Sequence, residues 1–293
     1  GYSTLPPETY AMKLSGRILY LTDEPSQLAA QLSGTDLQLT VDAAMHYGVN
    51  TDAMISGRAC TLGYTPEILG PYFLENFKET VAKDAVRSGG FQVIVGGDAY
   101  GSGSSREVAV VAHQGAGIEL VVARSFQRIF QENMVYAGMP FTTDYGVVDR
   151  LAAGDEIDVA SFYDELPPFF HQVATIGGLL PYATAWLEGG VDPWYDTEPA
   201  SRPLNVVEKI CAARAWSGGR PGEGAGPRYG SASVAPGDQV LCRAGFRGMH
   251  EYTAGMVMAL YEDAFGTVPV QDPDQCAAFE DHFVLIDEPT VPE

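Results

Sequence analysis

Residues 96–107 read "GGDAYGSGSSRE" and hold, within a few positions, groups that could carry out acid–base chemistry. Ser104 and Ser105 offer hydroxyls, and the guanidinium of Arg106 can bind a carboxylate through two parallel hydrogen bonds. Glycines in such a loop let the backbone approach a ligand closely. The stretch therefore predicts a site for a carboxylate or a phosphate, in which a serine alkoxide stabilised by these donors could act as a base.

The same residues also fit a structural turn in which a serine caps the next helix. Two nucleotide-binding patterns are not met. Gly101-x-Gly103 is not followed by the third glycine of the dinucleotide-binding pattern, and the loop lacks the lysine of the phosphate-binding loop. The residues alone leave the binding loop and the structural turn open.

Three short apolar runs predict the strands that must position this loop. They are residues 91–95 (FQVIV), 118–123 (IELVVA) and 139–144 (MPFTTD). With helices between them they give the order strand–helix–strand–helix–strand, which is typical of a parallel sheet. A short helix, a turn at Gly154 and an edge strand are expected after residue 146.

The two helices between these strands have recognisable ends. The first is predicted over Glu107–Gln114, with Ser104 or Ser105 as its N-cap. The second is predicted to begin after Ser125 as its cap and to end at Gly138.

The chain is predicted to form two domains, 1–190 and 204–293, joined by a linker over 191–203 that is rich in Gly, Pro and acidic residues. In the second domain the sequence predicts an amphipathic helix over 204–215, a mobile glycine-rich loop over 216–230, a turn and strand near "VAPGDQVLCRA", and a helix that ends at Gly266. About ninety residues with so few apolar strands and helices cannot bury enough apolar surface for a stable hydrophobic core. We therefore expect an incomplete domain.

Composition excludes several classes of protein. The net charge of -21, from 38 acidic and 17 basic residues, repels nucleic acid and anionic membranes, so we expect neither as a partner. The four cysteines form no CxxC pair, which disfavours a disulfide framework or a zinc site. No apolar run is long enough for a membrane span, and the N-terminus is not typical of a signal peptide. We therefore expect a cytoplasmic protein with reduced thiols.

The loop and the residues after it resemble a known family. "DAYGSGSSRE" followed by "GIELVVARSFQRIFQENMVYAGMPF" is similar to the swivel domain of the aconitase superfamily, which includes the small subunit of 3-isopropylmalate dehydratase. "GVNTDAMISGR" (48–58) resembles that subunit's N-terminal motif, and "LAAGDEIDV" resembles one of its strands. The resemblance covers roughly residues 45–190 and implies an α/β fold, a swivelling β/α domain.

The second part resembles the opening of the large catalytic subunit of the same superfamily. "NVVEKICAARA", "VAPGDQVLCRAG", "GMHEYTAGMVMALYEDAFG" and "FEDHFV" follow its order. The resemblance implies a small-subunit domain fused to a partial α/β segment of the catalytic domain, without the continuation that carries three cluster-ligating cysteines.

The resemblance implies a hydro-lyase that dehydrates and rehydrates a hydroxy di- or tricarboxylic acid. It assigns Ser104 as the catalytic base and Ser105 and Arg106 as substrate-binding residues. The pair Asp281 and His282 would protonate the leaving hydroxyl. Two further substrate-binding candidates are His250 and Arg58, and for Arg58 a structural ion pair is an open alternative. His46, His113 and His171 match no motif.

The family's cofactor is a [4Fe-4S] cluster, but the four cysteines of this chain, Cys60, Cys211, Cys242 and Cys276, do not match its ligand motif. The cluster is therefore expected in residues outside this chain, on a larger catalytic subunit that docks onto 204–293. The alternatives are a cluster-less relative or a non-catalytic scaffold or regulatory subunit that binds a dicarboxylate; RNA binding is disfavoured by the charge. The apolar segment 59–73 favours an alkyl-bearing malate weakly, and the substrate is not assigned.

Overall fold

The computed structural model describes residues 11–39, 43–78, 81–193, 202–221, 223–231, 233–267, 269–270 and 272–279. The chain divides into two compact units, and the boundary between them falls between Ala185 and Trp186. Within the described residues, no helix has both the length and the apolar character needed to cross a membrane.

The elements up to Glu188 are, in chain order, β1 (Ala11–Met12), β2 (Arg17–Tyr20), α1 (Pro25–Leu32), α2 (Thr51–Met54), α3 (Gly57–Cys60), α4 (Pro66–Leu69), a 3-10 turn (Gly70–Tyr72), α5 (Ala85–Ser88), β3 (Phe91–Gly96), α6 (Glu107–Gly115), β4 (Leu120–Ala123), α7 (Arg128–Ala137), β5 (Phe141–Thr142), α8 (Gly146–Ala152), β6 (Ile157–Asp158), a 3-10 turn (Val159–Tyr163), α9 (Pro168–Ile176) and α10 (Leu179–Glu188).

A parallel sheet with the strand order β2-β3-β4-β5 forms the centre of this unit. The three strands predicted around the loop and their parallel arrangement are confirmed, and β2 joins them at one edge. Every residue of β3 and β4 is buried, as expected for parallel strands with helices on their faces. The strand after the turn at Gly154 is also present, but β6 pairs antiparallel with β1 instead of joining the parallel sheet.

The two connecting helices are confirmed, but their predicted caps are wrong. Helix α7 begins at Arg128 with Gln127 as its N-cap, which makes no capping hydrogen bond through its side chain. The hydroxyl of Ser125 is used elsewhere and accepts a hydrogen bond from the amide of Ala99 at 2.9 Å. The predicted end is right, because Gly138 terminates α7 with a φ of 65°.

The second unit contains α11 (Val206–Arg214), β7 (Trp216–Gly218), β8 (Arg228–Tyr229), β9 (Arg247–His250), α12 (Glu251–Phe265), a 3-10 turn (Pro273–Gln275) and β10 (Cys276–Phe279). The helix predicted to end at Gly266 is confirmed as α12. Residues 216–230, predicted as a mobile loop, instead begin and end in the antiparallel pair β7–β8. The strand predicted near "VAPGDQVLCRA" is reduced to isolated bridges at Gln239 and Cys242, of which Cys242 pairs antiparallel with Ala215.

Helix α11 shows how the second unit differs from the first. Asn205 and Glu208 form a capping box at its start, and Ala212 and Ala215 pack with Val234 in a small buried cluster. The helix does not have the predicted apolar inner face, because the carboxylate of Glu208 is turned inward to the cap while the three largest aliphatic side chains face outward. Val206, Val207 and Ile210 are 70%, 64% and 60% exposed.

Candidate active site

The glycine-rich loop leaves the sheet at the end of β3 and is fixed to the chain on both sides. The amide of Tyr100 donates to the carbonyl of Ser125, and the carbonyl of Tyr100 accepts from the amide of Gln127, both at 2.9 Å. One residue later, the amide of Gly101 donates to the carbonyl of Val49 at 2.9 Å. The start of the loop is therefore held between the chain leading into α7 and the segment before α2.

The segment 50–54 continues this pairing along the loop. Asn50 caps α2 by accepting a hydrogen bond from Ala53, and it forms a parallel bridge with Ser102. The amide of Thr51 donates to the carbonyl of Ser102, and its hydroxyl donates to the carbonyl of Ser104, each at 2.8 Å. The positions of the backbone at Ser102 and Ser104 are thus set by a segment fifty residues upstream.

Gly101 is one of the positions at which the loop tolerates no side chain. Its φ is 81°, which L-residues rarely adopt, and a Cβ at this position would lie 2.1 Å from Cγ of Phe130. The backbone at Gly101 therefore lies directly on an aromatic ring of α7.

The predicted serine cap of α6 is wrong. The N-cap of α6 is Arg106, without a capping side-chain bond, because the amide of Arg106 donates to the carbonyl of Ser104 at 2.9 Å and turns the chain before the helix begins. Both Ser104 and Ser105 are exposed, and neither hydroxyl makes a hydrogen bond to any residue that the structure describes. Both hydroxyls therefore remain available to a ligand instead of being used by the helix.

The guanidinium of Arg106 is held in place through one nitrogen, Nη1. Nη1 lies 2.6 Å from Oδ1 of Asp52 and donates to the carbonyl of Ile55 at 3.1 Å. The side chain is 20% exposed, and its Nε and Nη2 have no partner among the residues that the structure describes. This leaves the edge of the guanidinium that forms two parallel hydrogen bonds with a carboxylate.

A cleft of about 200 Å³ lies beside the loop. It is formed by the glycines of the loop, by Ser104 and by the first turns of α7, and its lining residues are Gly101, Gly103, Ser104, Gln127, Arg128, Ile129, Phe130 and Asn133. The predicted base thus lies at the edge of a space large enough for a small substituent.

Glu107 is the first residue of α6 and comes directly after the arginine. It is half-buried, and burial raises the pKa of its carboxyl above the usual range. A carboxyl with a raised pKa next to candidate catalytic groups is a common feature of active sites, and the sequence alone did not single it out.

The remaining predicted residues lie in different places. Arg58 is exposed in α3 and forms no ion pair with a described residue, so the described part of the chain does not supply the structural ion pair considered for it. His250 lies in the second unit, where it ends β9 and is the N-cap of α12. Asp281 and His282 lie outside the described residues.

None of the cysteines belongs to a metal-binding cluster in the described part of the chain. Cys60 is buried, Cys211 and Cys276 are half-buried and Cys242 is exposed. Among the described residues, no group of three or more His, Cys, Asp or Glu side chains could hold a metal ion. The residues that the structure describes therefore do not fit an iron–sulfur cluster.

Thr51 and Asp52 are candidate site residues that sequence reasoning missed. Thr51 holds the backbone of the loop and Asp52 holds the guanidinium of Arg106. A signal was available, because both belong to "GVNTDAMISGR", but only Arg58 was singled out from that motif. Fifty residues separate them from the loop, and only the folded chain brings the two segments together.

Comparison with known proteins shows which family the first part of the chain is similar to. The family described as the Aconitase C-terminal domain matches residues 76–143. The isopropylmalate/citramalate isomerase small subunit of Methanocaldococcus jannaschii is 36% identical over 149 residues, which is 46% of this chain and 86% of that protein. The chain belongs to this family of small subunits, in the aconitase superfamily.

Other members of the superfamily are similar to part of the chain. The 3-isopropylmalate dehydratase small subunit of Moorella thermoacetica is 34% identical over 148 residues, 46% of this chain and 87% of that protein. Aconitase AMT8 of Alternaria alternata is 43% identical over 113 residues, 38% of this chain and 13% of that protein. A crystal structure of the M. jannaschii 3-isopropylmalate dehydratase aligns over 47% of this chain and 87% of the crystallised chain. The sequence identity is 29% and the TM-score is 0.36.

Proposed function

We propose that this chain is a subunit of an aconitase-type hydro-lyase that acts on a hydroxy di- or tricarboxylic acid. The observation that carries the proposal is the pairing of Nη1 of Arg106 with Asp52 and Ile55, which leaves the Nε–Nη2 edge for a carboxylate. The two residues before Arg106 in the chain are serines whose hydroxyls do not cap α6. The names of the small-subunit relatives support the same reaction class.

In the proposed reaction the chain binds one substrate carboxylate on Arg106 and removes the proton from the carbon next to a carboxylate. Ser104 takes that proton on Oγ as the carbon–carbon double bond forms and the carbon–oxygen bond breaks. The leaving hydroxyl takes a proton and departs as water, a step that the resemblance assigns to Asp281 and His282. Rehydration reverses these steps.

Ser104 needs its surroundings to act as a base, because a serine hydroxyl is not ionised at neutral pH. Two features support a stabilised alkoxide. The guanidinium of Arg106 carries a positive charge two residues away, and the first turn of α6 presents backbone amides that Ser104 and Ser105 do not cap.

The family implies a [4Fe-4S] cluster, which would act as a Lewis acid on the substrate hydroxyl. Since the described residues offer no cluster of cysteine ligands, we assign the cluster to a larger partner chain. In this proposal the residues of this chain bind the carboxylate, accept the proton from carbon and, by the resemblance, protonate the leaving hydroxyl.

The second unit supports the need for such a partner. Strands β9 and β10 form a parallel pair of only partly buried or exposed residues, whereas parallel strands are normally covered on both faces. The apolar face of α11, defined by Val206, Val207 and Ile210, is exposed as well. We propose that residues 204–293 are the opening of a catalytic domain that the larger subunit completes.

Ser104→Ala tests the proposed reaction. Because the hydroxyl is exposed and makes no hydrogen bond to a described residue, its removal should leave the Tm within a degree or two. Co-purified with the chain encoded by a neighbouring gene, the wild-type protein should convert a hydroxy acid, and Ser104→Ala should lose about 10³-fold or more in kcat. Unchanged kcat in Ser104→Ala would favour a scaffold or regulatory role instead.

Size-exclusion chromatography of the chain with and without the same neighbour tests the partner. We expect a shared peak for the two chains, and weaker association when Ile210→Glu and Val207→Glu place charges on the apolar face of α11. Lys209→Glu, on the same helix, is the charge-matched control. A single monomer peak that does not shift when the neighbouring chain is added would contradict the proposal that the neighbouring chain completes the domain.

A further inference from the structure

His113 is fully buried in α6 and has no part in the proposed reaction. Its Nδ1 lies 2.7 Å from the carbonyl oxygen of Ala109, and its Nε2 lies 2.7 Å from the hydroxyl of Tyr100. A carbonyl only accepts hydrogen bonds, so Nδ1 must carry the proton and Nε2 must accept from the tyrosine. Burial lowers the pKa of His113 to about 4, which keeps the ring neutral near neutral pH.

The partner of His113, Tyr100, lies within the glycine-rich loop, just before the residues that carry the candidate catalytic groups. The backbone of Tyr100 is bonded to Ser125 and Gln127, and the next amide, of Gly101, is bonded to Val49. The hydroxyl–imidazole bond joins positions 13 residues apart, and the loop and the first two turns of α6 lie between them. The bond therefore holds Tyr100, within the loop, against α6, the helix that follows the loop.

The surroundings of this bond are aromatic. The ring centroid of His113 lies 4.1 Å from that of Phe73 and 5.8 Å from that of Phe130. The ring centroid of Tyr100 lies 5.7 Å from that of Phe130. In such surroundings two apolar side chains of similar shape would pack about as well, because a buried polar pair adds little net stability over an apolar one. The polar pair instead fixes the position and orientation of the Tyr100 ring, because only one placement of the ring lets its hydroxyl reach Nε2 of His113.

We propose that His113 is a positioning residue for the loop: by accepting the hydrogen bond of Tyr100 it fixes residues 101–106 and so the places of Ser104 and Arg106. The catalytic consequence rests on the proposed function, whereas the fixing of the loop does not. His113 is not among the residues that line the cleft beside the loop, and it acts only through Tyr100.

The double variant Tyr100→Phe/His113→Leu tests this inference. It removes both polar atoms together, so no buried donor or acceptor is left from the pair and the fold should persist. In the isolated chain, amide exchange followed by NMR should be at least tenfold faster at Gly101 and Thr51, whose amides join the loop to its neighbours. In the complex, kcat should fall about 10- to 100-fold, as expected for a misplacement of the reacting groups by about 1 Å.

Two further variants separate positioning from a loss of stability. His113→Gln retains a donor and an acceptor and should recover most of kcat and the slow exchange. Gln31→Leu removes another buried polar side chain of the same unit, one that bonds the backbone of Tyr20, and should lower the Tm without changing exchange at Gly101.

Wild-type exchange at Gly101 and Thr51 in the double variant would overturn the inference, whether or not the complex is active. Faster exchange with unchanged kcat in an active complex would also overturn it, because the loop would then move without affecting the reaction. A wild-type complex that converts no hydroxy acid contradicts the proposed function alone, and faster exchange would still support the fixing of the loop by His113.

Discussion

Replacing Arg106 by lysine and by glutamine measures how much of the substrate's binding depends on the free edge of the guanidinium. In the structure Nη1 is engaged by Asp52 and Ile55, and the Nε–Nη2 edge is left for a carboxylate. Lysine keeps the positive charge but cannot form two parallel hydrogen bonds, while glutamine loses the charge as well. The two variants therefore separate charge from geometry.

The expected magnitudes depend on the number of bonds lost. A hydrogen bond to a charged group contributes about 1.5–3 kcal/mol, and each 1.4 kcal/mol changes a rate or equilibrium constant tenfold. Arg106→Lys, which loses one bond, should lower kcat/KM by about 10- to 150-fold. Arg106→Gln, which loses both, should lower it by about 10²- to 10⁴-fold.

Stability should respond much less than activity. The carboxylate of Asp52 is 61% exposed, so its ion pair with Arg106 contributes less than about 1 kcal/mol to folding. The matched control is Arg150→Gln, which breaks an exposed ion pair with Asp144 in the same unit. We expect similar Tm values for the two glutamine variants and a loss of kcat/KM only in Arg106→Gln.

The assay is the initial rate of dehydration, followed by absorbance of the unsaturated product, in the complex with the partner chain. A value of kcat/KM for Arg106→Lys within twofold of wild type would refute the bidentate binding of a carboxylate. An equal loss in Arg150→Gln would refute the assignment of the effect to the loop.

Three further changes probe the same unit. Gly101→Ala should lower the free energy of unfolding by about 2–5 kcal/mol in urea titrations, because it adds backbone strain and a clash with Phe130. The control is Gly154→Ala, at a glycine that also has a positive φ but lies in open space. It should lower the free energy of unfolding only by the strain of about 1–2 kcal/mol. Glu107→Gln should raise the Tm at pH 8, because burial raises the pKa of the Glu107 carboxyl and its ionisation therefore opposes folding. The gain in Tm should vanish as the pH falls below the usual carboxyl range, where the carboxyl is neutral in both states. An equal gain in Tm at pH 4 would contradict the assignment. Asp52→Asn should raise KM several-fold with a smaller change in kcat, since Arg106 loses the partner that orients it; an unchanged KM would show that Ile55 suffices.

The sequence was sufficient for the parts of the fold that depend on local pattern. The apolar runs of β3 and β4 and the glycine after α7 reflect strand burial and helix termination, which neighbouring residues determine. It failed for the caps of α6 and α7. A serine in the right position caps a helix only if its hydroxyl is not engaged elsewhere and the chain enters the helix directly. At Ser104 the turn to Arg106 prevents this, and at Ser125 the bond to Ala99 does.

The sequence by itself determined which chemistry the loop can perform, because the hydroxyls of Ser104 and Ser105 and the guanidinium of Arg106 are properties of residue type. Only the tertiary structure decided which atoms of those groups remain available. That decision depends on Asp52, which binds Nη1 of Arg106, and on Thr51, which bonds the carbonyl of Ser104; both lie about fifty residues from the loop. Contacts between residues so far apart along the chain arise when the sheet and its helices pack, and no local pattern encodes them.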